Sequence, residues 1–123
     1  MDCIFCKIAK KDISSMLVYE DDLIMAFMDI NPQCDGHTLL IPKKHYEDYT
    51  ALPTEILTHI FRKAEELGVV LTSKLKTKGY RLIINYGDEQ EVKHFHLHIL
   101  PNVRKKASKD IKELFSEITK NHD

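Results

Sequence analysis

A chain of 123 residues has room for one domain with a modest core and is too short for two. Lys and Arg (18) nearly balance Asp and Glu (19), and a net charge of −1 provides no basis for holding nucleic acid or an anionic membrane. Any anionic ligand must therefore be small and gripped by local groups. At 43% hydrophobic and 30% charged the composition is that of a folded soluble domain, with no apolar run of bilayer-spanning length.

The first stretch, "MDCIFCKIAKKD", has an acid at position 2 and lysines after its apolar residues, the reverse of a secretory signal. Three cysteines are too few and too odd in number for a disulfide framework. A reducing cytoplasm is the expected setting, with Cys3 and Cys6 as thiols or metal ligands. "CKIAKKD" reads as a short helix or turn. Two strands follow, "SMLVYE" and "LIMAFMD", split at Glu20-Asp21-Asp22 by a turn. "NPQCDG" is a loop by its Asn-Pro and Asp-Gly pairs, with Cys34 as a loop thiol. "HTLLIP" is a third strand.

From Pro53 to about Lys76, Ile56, Leu57, Ile60, Phe61, Ala64, Leu67 and Leu71 recur at three- and four-residue spacing, opposite Lys63, Glu65 and Glu66. That is a long helix starting at Pro53 or Thr54, with Gly79 just past its end. "YRLIINY" is a fourth strand and "HFHLHILP" a fifth. A last helix over about 108–120, capped by Ser108, carries Ile111, Leu114, Phe115 and Ile118 on one side. Together these elements predict an α+β fold in a single domain, 1–123. It has a mainly antiparallel five-stranded sheet, one long central helix and a C-terminal helix.

The segment "KHFHLHIL" holds three of the chain's seven histidines at alternate positions. In a strand, His94, His96 and His98 share one face and Phe95, Leu97 and Ile99 the other. At roughly 6.6 Å between successive same-face positions, adjacent rings are too far apart to pair in an ideal strand, yet near enough to surround one phosphate. A neutral imidazole is a good nucleophile near neutral pH, and imidazole N–H groups hydrogen-bond anionic oxygens. On spacing alone a water-facing strand and a metal-binding strand stay open. Cys3-x-x-Cys6 is equally open between zinc, a redox pair and an amphipathic turn.

"HFHLHIL" resembles the His-x-His-x-His-x-x pattern of the histidine triad family of nucleotide hydrolases and transferases. "CIFCKIAKKDISSMLVYEDDLIMAFMDINPQ" and "GHTLLIPKKHYED" are similar to the branch that hydrolyses nucleoside phosphoramidates. The likeness covers about residues 3–101 and leaves out the C-terminal helix. The resemblance implies that His96 attacks the α-phosphorus of a purine nucleotide, forming a nucleotidyl-imidazole that water then cleaves. His98 donates to a phosphate oxygen or assists the leaving group. It also implies a base pocket of Ile4, Phe5, Ile8, Phe27 and Ile30, with Asp29 accepting from the ribose hydroxyls. Asn85 and Gln90 lie near the phosphate. Zn²⁺ is implied on Cys3, Cys6, His45 and His94 in a closed structural site. So is a homodimer in which two sheets join into one, which would hide edge strands.

The chain departs from the family at "NYGDEQEVKH", two residues short, with Glu91 in place of a hydroxyl residue. His37 reads as a structural histidine, and His59 and His122 as solvent-facing. Two alternatives are carried: a dinucleoside polyphosphate hydrolase, and a nucleotide-binding regulatory protein with little catalysis.

Overall fold

The computed structural model describes residues 3–102 and 106–120; the expectation for His122 lies outside them. A short helix α1 (Ile4–Ala9) leads into β1 (Leu17–Glu20), β2 (Ile24–Met28) and β3 (Thr38–Pro42), then the long helix α2 (Thr54–Leu75). β4 (Arg81–Ile84), β5 (Leu97–Leu100) and α3 (Ile111–Thr119) complete the chain. All four strand pairings are antiparallel and the order is β1-β2-β3-β5-β4, so the α+β expectation holds. Among the described residues no helix is long and apolar enough to cross a membrane.

Both faces of the sheet are covered, as the strand periodicity requires. Ile24, Ala26, Met28, Leu40, Leu97 and Ile99 point to one side. There they pack with Ile60, Ala64 and Leu71 of α2 and Leu114 and Ile118 of α3. Met25, Phe27, Leu39 and Ile41 point to the other side and meet Cys3, Phe5 and Ile8 from the α1 segment. A strand such as β2 is therefore buried at every residue, and it reads as an unbroken apolar run.

Two boundaries differ from the sequence reading. The last helix starts at Ile111 because Asp110, not Ser108, accepts a capping bond from the Glu113 N–H. The long helix ends as expected, on Lys76 in the left-handed region at φ 57°, three residues before Gly79. The fifth strand's ladder begins only at Leu97. Ahead of it the Phe95 N–H turns aside to the Tyr46 carbonyl at 2.7 Å. Cys34 is a loop thiol as expected, and one side chain, His59, differs. Cys34 is buried, with its thiol pKa pushed up by that burial. His59 is half-buried, with Nε2 2.6 Å from Asp21 Oδ2. Asp21 also caps the β1–β2 turn by accepting from the Leu23 and Ile24 N–H groups.

Candidate active site and metal centre

The alternation expected for the triad holds through the turn at Phe95. Phe95 is fully buried in the main core, and His94, His96 and His98 lie on the α1 side. The rings lean toward one another more than an ideal strand predicts: His96 and His98 have centroids 4.9 Å apart. Phe5 of α1 stacks edge-on against His96 at 5.0 Å and against Phe27 at 5.7 Å.

Hydrogen bonds to backbone groups of known polarity set every triad tautomer. A carbonyl only accepts, so His94 Nε2, 2.8 Å from the Pro42 oxygen, carries its proton and leaves Nδ1 bare. By the same logic His96 Nδ1 donates to the His94 carbonyl at 2.9 Å, and the lone pair sits on Nε2. His98 is set through a third ring. The Gln33 N–H donates to His37 Nδ1 (3.1 Å), so His37 Nε2–H donates to His98 Nδ1 (2.9 Å) and the remaining His98 proton is on Nε2. That Nε2 is buried and has no partner among the described residues. A bare nucleophilic nitrogen thus stands beside an unspent N–H donor, the pair needed to attack and steady a phosphoryl group.

Burial keeps this network neutral. It holds His96 and His37 below their ordinary values, and it pushes His98 down to about 4 with help from neighbouring His96 and His37. The 3.6 Å approach of Asp29 to His37 is therefore not an ion pair. Nor do Asp29, His37 and His98 form a metal bite. An N···N separation of 2.9 Å with centroids 5.1 Å apart leaves one ring radius for each imidazole, so the rings meet head-on around a proton.

The pH sign follows. Below about 6.5 the unfolded chain takes up protons that folded His98 refuses until about 4, so stability falls as pH drops through that window. Urea midpoints of wild type should decline from pH 6.5 to 4 more steeply than those of His98→Gln. Equal slopes would refute the assignment.

The other predicted residues fall into two groups. Phe5, Ile8 and Phe27 are buried in the α1-side core, whereas Ile4 and Ile30 are 48% and 73% exposed. Asp29 accepts from the Asn31 N–H through Oδ1. Asn85 lies just past the end of β4, whose last pair is Ile84–Leu97. The Gln90 amide is turned into the scaffold, donating to the carbonyls of Glu47 and Val92. Glu91 is exposed.

His37 has a larger part than sequence reasoning assigned it. Alternation in "HTLLIP" places it on the face of Leu39, and Leu39 pairs with His98. The alternation is visible in the sequence; the pairing is not.

Cys3, Cys6, His45 and His94 bring four ligand atoms within 4.8 Å of one another. The Phe95–Tyr46 bond draws His45 beside His94, and Cys3 caps α1 by accepting from the Cys6 N–H. His94 Nδ1 lies 3.4 and 3.5 Å from the two sulfurs, and His45 Nδ1 lies 3.3 Å from Cys6 Sγ. Bonds of about 2.3 Å to sulfur and about 2.0 Å to nitrogen put tetrahedral ligands about 3.5 Å apart, so the cluster suits such an ion. The Pro42 carbonyl completes the fit by holding His94 in the tautomer whose bare Nδ1 faces the thiols.

A family model described as HIT domain matches residues 10–105. An uncharacterized HIT-like protein of Methanocaldococcus jannaschii is 46% identical over 101 residues, covering 80% of this chain and 78% of its own. An adenylylsulfatase of Arabidopsis thaliana is 31% identical over 102 residues, 81% of this chain and 52% of its own. Among solved structures, a zinc-bound histidine triad family protein from Mycobacterium smegmatis superposes with a TM-score of 0.88 at 30% identity. The match covers 97% of this chain and 91% of that one.

Proposed function

The chain belongs to the HIT domain family, and from that premise we propose that it hydrolyses purine nucleoside phosphoramidates at the α-phosphate through a nucleotidyl-His96 intermediate. One observation carries the reading: a bare His96 Nε2 beside a buried, unspent His98 Nε2–H. His96 Nε2 forms the new bond to phosphorus as the bond to the amine breaks, and the amine leaves with a proton drawn from solvent, which the attacking water later returns. Water then displaces the imidazole, yielding the nucleoside monophosphate and restoring the ring. His98 Nε2–H holds a non-bridging oxygen as charge gathers there. The base is assigned to the exposed side chains of Ile4 and Ile30, and the ribose hydroxyls to Asp29.

We assign zinc to Cys3, Cys6, His45 and His94, as the donor set and the zinc-bound mycobacterial relative support. Bound there, zinc would tie α1 to the triad strand and, with four protein ligands, present no open position for chemistry. A homodimer is proposed through the β4 edge, where Phe61 and Tyr80 are exposed beside Leu82.

Steady-state rates on an adenosine phosphoramidate and a dinucleoside polyphosphate test the proposal. The phosphoramidate should have the higher kcat/KM by about ten-fold or more. The reverse order would favour the polyphosphate hydrolase, and AMP binding without turnover of either would favour the regulatory reading.

A further inference from the structure

The last described segment is fastened to the rest of the chain at two points. Lys74 Nζ on α2 donates to the carbonyls of Ile118 (2.6 Å) and Lys120 (2.8 Å) at the end of α3. Ahead of α3, Asp35 Oδ1 accepts from the backbone N–H groups of Ser108 (3.0 Å) and Lys109 (3.1 Å). Asp35 Oδ2 accepts from the Ser108 hydroxyl (3.3 Å). Both fastenings lie beyond the HIT-matched residues on one side and inside them on the other.

Asp35 sits midway between Gln33, whose N–H sets the His37 tautomer, and His37 itself. The loop is held from within by His37 N–H on the Cys34 carbonyl and by the Thr38 hydroxyl on the Gly36 carbonyl. Gly36 turns it at φ +84°, where a side chain would run into Leu75 and Pro101. From outside, Asp35 is where the C-terminal segment grips it. If the loop loosens, the Gln33 N–H leaves His37 Nδ1 and that nitrogen is free to take the ring's proton. A bare His37 Nε2 would then face a bare His98 Nδ1, two lone pairs in opposition. The opposition is relieved when the His98 proton moves from Nε2 to Nδ1, which removes the donor from the phosphate site.

We propose that Asp35 is a positioning residue: by clasping Ser108 and Lys109 it keeps the Gln33–His37 loop in the turn that makes His98 present Nε2–H to the phosphate. The proposal rests on the reading of His98 as the phosphate donor, and it links the C-terminal helix to a site that helix does not touch.

The test uses the full chain with Asp35→Ala, Asp35→Asn and, from the other side of the clasp, Ser108→Pro. Two readouts are taken: steady-state kinetics, and long-range proton–nitrogen NMR of the imidazoles, which separates protonated from bare ring nitrogens. Asp35→Ala should lower kcat about ten-fold while KM changes less than about two-fold, since orientation and not binding is lost. It should also move the His37 and His98 nitrogen signals toward the average of two tautomers. Asp35→Asn keeps an oxygen for both N–H groups and should restore both readouts. Ser108→Pro removes one N–H and the hydroxyl and should shift the same signals in the same direction. A folded Asp35→Ala or Ser108→Pro protein with unmoved imidazole signals overturns the proposal, even if its melting temperature falls. If wild type turns over no nucleotide, the proposed activity fails, while the NMR readout still decides the clasp.

Discussion

His96→Asn is expected to reduce phosphoramidate turnover by at least about a thousand-fold, the loss typical when a covalent nucleophile is removed. Asparagine is the informative choice because its amide N–H can still meet the His94 carbonyl that now holds His96 Nδ1 at 2.9 Å. The pocket's shape is then kept while the attacking nitrogen is lost. AMP should bind within a few-fold of wild type, since Ile4, Ile30 and Asp29 are untouched. His98→Asn removes a donor rather than the attacking atom, and its expected loss is smaller, about a hundred-fold. Rapid-quench experiments with labelled substrate should trap nucleotidyl-protein from wild type and none from His96→Asn. An unchanged turnover rate in His96→Asn would end the catalytic assignment.

The second large effect is on the metal centre. Protein purified without chelator is expected to carry about one zinc per chain by elemental analysis, and Cys3→Ser with Cys6→Ser should bring that near zero. Cys3 caps α1, and α1 presents Phe5, whose ring lies 5.0 Å from that of His96. If the ion binds there, its loss would untie the wall of the site together with the second core of Phe5, Ile8, Phe27, Leu39 and Ile41. A melting temperature about 10 °C lower and a substantial drop in kcat should follow together. Stoichiometry near zero in wild type, with activity intact in the double variant, would defeat the assignment. His45→Ala offers a check from the far side of the cluster. It should lose the metal while leaving the α1 cap in place.

Periodicity carried most of the fold. The three- and four-residue spacing from Ile56 to Leu71 predicts α2 to within a residue or two, because a helix packing on a sheet must present one apolar stripe. The apolar runs "LIMAFMD" and "HTLLIP" predict strands, and β2 and β3 bury every residue because both faces of the sheet are covered. Boundaries set by a single side chain were less legible. Ser108 and Asp110 are equally good caps by type. Which of them caps depends on Asp35, 73 residues away from Ser108, having already taken Ser108.

The candidate site divides along the same line. Alternation by itself determined that the three histidines share a face, and spacing determined that Cys3 and Cys6 can reach one ion, since both are consequences of local backbone geometry. Which nitrogen of each ring carries the proton and which is bare was decided only by tertiary structure. A ring's tautomer is dictated by the partner across from it: Pro42, the His94 carbonyl, and Gln33 acting through His37. Those partners are brought opposite the triad by strand register, and register is a property of the packed sheet rather than of any one segment.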